Sequence, residues 1–181
     1  MIMRSLIYPI VILLLSSCQI SGLTSGYSHL SDESKAKVKK YDGKIADIAD
    51  YSFVYAVTPA QVKEYLSARE DVIVYDYTPF CQSNECISPE ALVAKCREKG
   101  YDVLVISNIY DDLMSALNTA FPIFMINTDV MKTKWRGKYI DEFYLPLIGK
   151  VGKQVDYASY HYFHGGAYVR SYEDPAEIGT P

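Results

Sequence analysis

Apolar residues in this chain fall into three arrangements: one unbroken run, several short strand-like runs and a few helical stripes. The unbroken run spans residues 6–15, preceded by one cation, Arg4, and followed by Ser16-Ser17-Cys18. Short runs at residues 53–57, 72–77, 102–107 and 121–126 are rich in β-branched and aromatic side chains. Their length and the turn formers around them predict buried strands. Between the first two, Thr58-Pro59-Ala60-Gln61 places a hydroxyl at an N-cap, proline at the first helical position and glutamine at the third. That capping box predicts a helix over 59–68. Ser88-Pro89-Glu90 opens another, ending near Lys99 with Gly100 as its cap. Asn108, with Asp111 three residues on, is expected to cap a helix reaching Asn118. Met131, Trp135, Tyr139 and Phe143 recur every fourth residue, a stripe that places Trp135 in the core of a helix ending before Pro146. Residues 160–164 and 167–171 flank Gly165-Gly166, the pattern of a hairpin with a two-residue turn.

Strands alternating with helices predict an α/β domain: a mostly parallel central sheet with helices on both faces and a C-terminal antiparallel hairpin. Ser31 is expected to cap a short charged helix over 32–41, broken at Gly43, with Lys35, Lys37, Lys39 and Lys40 on a solvated face. Residues 19–30, rich in Ser, Gly and Thr, read as a tether, and 173–181 as a frayed tail. The expected organisation is a leader over 1–17, a tethered segment over 18–50, a domain over 51–172 and a flexible tail.

The leader changes the picture most. A charged start, an apolar stretch too short to span a bilayer and small residues ahead of Cys18 describe a secretory signal peptide. Ser16-Ser17-Cys18 resembles a bacterial lipobox. That resemblance implies a diacylglycerol on the Cys18 sulfur, cleavage before it and a membrane partner reached through the lipid anchor. Gln19 in place of aspartate points to the outer membrane rather than the inner one.

Without residues 1–17 the chain carries 17 Lys and Arg against 22 Asp and Glu, a net charge of −5. A mildly acidic chain without a basic block excludes nucleic acid as a partner class. A hydrophobic content of 49% with 17 tyrosines excludes a disordered chain. Cys81, Cys86 and Cys96 remain in a compartment that permits disulfides, which allows one pair and one leftover thiol. Cys96 follows Leu92 by one turn and reads as a buried thiol. His161 and His164, three apart on a strand, point to opposite faces and cannot chelate one metal together. No motif frames a Cys–His hydrolase, no glycine loop cradles phosphate, and neither cofactor nor metal is expected.

A buried strand running into Tyr77-Thr78-Pro79-Phe80-Cys81, then helix, strand, an inserted segment and a terminal hairpin, resembles the thioredoxin fold. The likeness is to its redoxin-like branch and to thioredoxin-like lipoproteins of envelope-bearing bacteria, and it covers about residues 53–171. It implies that Cys81 is the attacking thiol and Cys86 the resolving one, exchanging disulfides with envelope proteins. The residues themselves leave a second reading open. Four residues separate the cysteines and Glu85 opposes a thiolate, so the pair also fits a structural bridge in a noncatalytic binding or assembly lipoprotein.

Overall fold

The computed structural model describes residues 23–81, 86–118, 120–150 and 155–179. The lipidation expected at Cys18 and the loop residues Gln82 to Glu85 lie outside the described residues.

Among the described residues seven strands form one sheet: β1 (Val38–Lys40), β2 (Val54–Val57), β3 (Asp71–Tyr77), β4 (Asp102–Ser107), β5 (Ile123–Ile126), β6 (Tyr160–His164) and β7 (Ala167–Tyr172). Their order across the sheet is β1-β2-β5-β4-β3-β6-β7. The first five in that order are parallel to their neighbours, while β3–β6 and β6–β7 are antiparallel. The mostly parallel α/β sheet and its C-terminal hairpin are therefore as expected. The hairpin turn needs left-handed backbone at two successive positions, and Gly165 (φ 55°) and Gly166 (φ 82°) supply it.

Among the described residues five helices accompany the sheet: α1 (Asp32–Ala36), α2 (Pro59–Ser67), α3 (Pro89–Glu98), α4 (Thr128–Met131) and α5 (Arg136–Ile148). Alternate residues of each central strand feed two cores. Tyr55, Val57, Val72, Val74, Leu104, Ile106 and Phe124 pack with Val62 and Leu66 of α2 and with Tyr139, Phe143 and Tyr144 of α5. Val54, Ala56, Ile73, Tyr75, Val105 and Ile123 pack on the other face with Leu92, Val93 and Cys96 of α3. Burial on both faces explains why these strands read as continuous apolar runs. The capping box of α2 forms as expected, with Gln61 N–H donating to Thr58 Oγ1 and the Gln61 side chain reaching the Thr58 N–H.

Six local expectations are corrected. The charged helix ends at Ala36, because buried Val38 continues as β1 and pairs with Val54. The helix expected after Asn108 is only a 3-10 turn at Leu113–Ala116, since the Asn108 amide is engaged elsewhere and cannot cap. The aromatic stripe is broken: α4 stops at left-handed Lys132, and Trp135 is the N-cap of α5, 61% exposed rather than core. Helix α5 also runs past Pro146 to Ile148, the proline falling in its last turn. The presumed tether is docked from Leu23 onward: Arg136 N–H donates to Leu23 O (3.0 Å), Ser25 N–H donates to Lys134 O (2.9 Å), and Ser25 is fully buried. The tail is likewise held through Gly179, with Ile178 buried and the Lys95 and Lys99 ammonium groups donating to Pro175 O and Ile178 O.

Candidate functional site

Parallel strands β3 and β4 end side by side, and a cavity lies outside their carboxyl ends. The strand pair continues for one step past its ladder, with Asn108 N–H donating to Tyr77 O (3.1 Å). Asn108 is fixed further by the Tyr139 hydroxyl, which donates to its carbonyl (2.6 Å). Its side chain then links three groups. Nδ2 donates to Asp76 Oδ1 (2.7 Å), while Oδ1 accepts from Arg136 Nη2 (2.6 Å) and Thr78 Oγ1 (3.2 Å). Arg136 Nη2 also donates to Thr78 Oγ1 (3.1 Å). A cavity of about 380 Å³ opens over Asp76, Thr78, Asn108 and Arg136, with Leu23 and Tyr157 among its walls.

Burial pushes the Asp76 carboxyl up to about 6, against the smaller opposing effects of the Asn108 hydrogen bond and the Arg136 charge. Behind it, Tyr144 is buried, with its hydroxyl close enough to sense the Asp76 charge yet outside hydrogen-bond geometry. Burial, and then that charge, hold the hydroxyl protonated. The ring of His161 lies 5.0 Å from that of Tyr144, with Nδ1 on Ser171 Oγ (2.8 Å) and Nε2 without a partner among the described residues. Burial drives the His161 imidazole down to about 4, so it is neutral at ordinary pH.

Cys81 and Cys86 form a disulfide with Cα atoms 6.0 Å apart, and both residues are half-buried. Cys81 is placed by a tight turn in which its N–H donates to Thr78 O (3.1 Å). Thr78 thus lines the cavity with its side chain and holds the turn before the disulfide with its carbonyl. On the far side of the loop, the Tyr75 hydroxyl donates to Ile87 O (2.9 Å) and Ser88 caps α3. Phe80, beside Cys81, is 44% exposed. Cys96 is fully buried in the α3 core, where burial pushes its thiol up to about 11.

His161 is buried and His164 exposed, as their opposite faces require. Exposed His164 instead meets Asp71 (2.9 Å), which raises its imidazole above the usual value. Among the described residues no cluster of three or more His, Cys, Asp or Glu could hold a metal ion, and no helix is long and apolar enough to cross a membrane.

Sequence reasoning missed Asp76, Asn108 and Arg136 as a group. One signal was present: Asp76 is a lone acid near the end of an otherwise apolar strand run. Arg136 and Asn108 carried no comparable mark, because only the fold brings positions 76, 108 and 136 together. Compared with family models, curated proteins and solved structures, the chain matches none.

Proposed function

We propose that this chain is a lipid-anchored protein of the bacterial envelope whose domain, thioredoxin-like in arrangement, exchanges disulfides with envelope proteins through Cys81 and Cys86. The observation that carries this reading is the place of the disulfide. It follows directly from the carboxyl end of β3, a strand flanked by parallel β4 and antiparallel β6, and it precedes a capped helix. An extra strand and helix, β5 and α5, intervene before the hairpin, in keeping with the redoxin-like branch. Exposed Phe80 offers apolar contact to a protein substrate beside the disulfide.

In the reduced protein the Cys81 thiolate attacks one sulfur of a substrate disulfide, and the other leaves as a thiolate. Cys86, as thiolate, then attacks the Cys81 sulfur and releases the second substrate thiol. The substrate gains two electrons and two protons, and the Cys81–Cys86 pair loses them. A dithiol protein of the envelope resets the cycle. Cys86→Ser protein is expected to accumulate one glutathione on Cys81 when mixed with oxidised glutathione, detected by mass spectrometry, while Cys81→Ser protein reacts far more slowly. Two equally inert variants would contradict the proposal.

One observation favours a second reading. Helix α3 has its N-cap at Ser88, seven residues beyond Cys81. A helix dipole acts within about one turn, so its field gives Cys81 little help. In this alternative the bridge is structural and the protein is a noncatalytic binding or assembly lipoprotein. Replacing both cysteines with serine would then lower stability and leave its cellular role intact.

A further inference from the structure

Two opposite charges line one cavity without touching each other. Arg136 uses Nη2 on two neutral oxygens, Thr78 Oγ1 and Asn108 Oδ1, and among the described residues it pairs with no carboxylate. Asp76 is held through Oδ1 by the Asn108 amide and is only half-buried, so it also borders the open space. Asn108 keeps the two charges apart by one amide group with a short hydrogen bond at each end. The head of an α-amino acid, flanked by a hydrogen bond on its carboxylate and another on its ammonium, spans nearly the same gap.

We propose that this cavity binds a small zwitterion, an apolar α-amino acid, with its carboxylate on Arg136 and its ammonium on Asp76. A simple anion there meets the Asp76 charge, and a simple cation meets Arg136. A zwitterion answers both, and charge-assisted hydrogen bonds are the strong kind. The walls favour an apolar side chain: Leu23 is 50% exposed, Tyr157 is 49% exposed, and Ile140 stands beside them. Gly137, on the first turn of α5, borders the cavity, and a Cβ there would meet nothing within 4 Å. This proposal is independent of the disulfide and needs neither cysteine.

The test is calorimetric titration of the purified full chain with L-leucine at pH 8, beside L-leucinamide, which lacks the carboxylate, and N-acetyl-L-leucine, which lacks the ammonium. Saturable leucine binding is expected, with each derivative weaker by about 10-fold or more, the loss of one charge-assisted contact. Gly137→Leu adds a side chain in open space at a helical position and is expected to weaken leucine binding by a similar factor while the protein stays folded. Arg136→Met is expected to abolish it. In unmodified protein, leucine should shift the NMR signals of Leu23 and Tyr157. No leucine binding at millimolar concentration would overturn the proposal. So would binding of both derivatives as tight as leucine, or full binding by Gly137→Leu protein.

Discussion

Asp71 and Asp76 begin and nearly end the same strand, and the fold treats them in opposite ways. Asp71 accepts from the Tyr162 hydroxyl (2.6 Å) and meets His164 Nδ1 (2.9 Å), contacts that hold its carboxyl below the usual range. Asp76 receives one amide hydrogen bond and has Arg136 only at a distance, so burial prevails and its carboxyl rises to about 6. The side-chain type is identical, and the difference lies in what faces it. At the amino end of β3 the charge is answered by neighbours across the sheet. At the carboxyl end a neutral amide separates it from its natural partner, and the charge is left facing a cavity. Arg69 and Arg136 repeat the contrast: Arg69 sits 3.6 Å from the Asp102 carboxylate, whereas Arg136 reaches only neutral oxygens.

Removing the amide should break the contrast most severely. Asn108→Ala leaves Asp76 and Arg136 short of partners and is expected to cost about 2–4 kcal/mol, read from denaturant midpoints. Arg69→Met, breaking an exposed pair, should cost less than about 1 kcal/mol by the same measurement. Equal losses would show that Asn108 is no special support.

The next effect is a gain. The folded protein holds the Asp76 proton more tightly than the unfolded chain does, because the folded carboxyl titrates near 6 rather than near 3.8. This group therefore lowers stability as pH rises from about 4 to about 6, and the cost persists above that window. Asp76→Asn should raise stability at pH 8 by up to about 3 kcal/mol, and by nothing near pH 4. Stability profiles of the two proteins that run parallel from pH 4 to 8 would refute this.

The smallest effect belongs to Asp71, with the reverse sign. Its carboxyl is depressed, so its contribution is present above the ordinary carboxylate range and disappears as pH falls through its own lowered value. Asp71→Asn should cost less than about 1 kcal/mol at pH 7 and nothing in strong acid, where both proteins carry a neutral group. A larger loss at low pH than at pH 7 would reverse the assignment.

The architecture was legible because it rests on local rules. Runs that are apolar on both faces marked β3, β4 and β5, the Thr58–Gln61 box marked α2, and Gly165-Gly166 marked the hairpin. Misreadings arose where a tertiary contact outweighed a local signal. Asn108 has the chemistry of a cap, but Arg136 and Asp76 compete for its amide. Trp135 has the right spacing for a core stripe, but left-handed Lys132 interrupts the helix and turns the indole outward. Residues 23–30 carry the Thr, Ser and Gly of a tether, yet Leu23 and Ser25 make backbone hydrogen bonds to Arg136 and Lys134. Of the candidate site, the cysteine pair was visible because a short loop joins its members. The charged cavity was not, since its members lie up to 60 residues apart in sequence and meet only through the pairing of β4 with β3 and the packing of α5 against the sheet.

The measurement closest to the functional claim is the reduction potential of the Cys81–Cys86 pair. Thiol trapping of the full chain across a series of glutathione and dithiothreitol buffers reads it directly. A potential of about −120 to −270 mV, the range of exchange proteins, is the predicted result. A bridge that stays closed below about −300 mV is the structural kind and would contradict the proposed exchange activity.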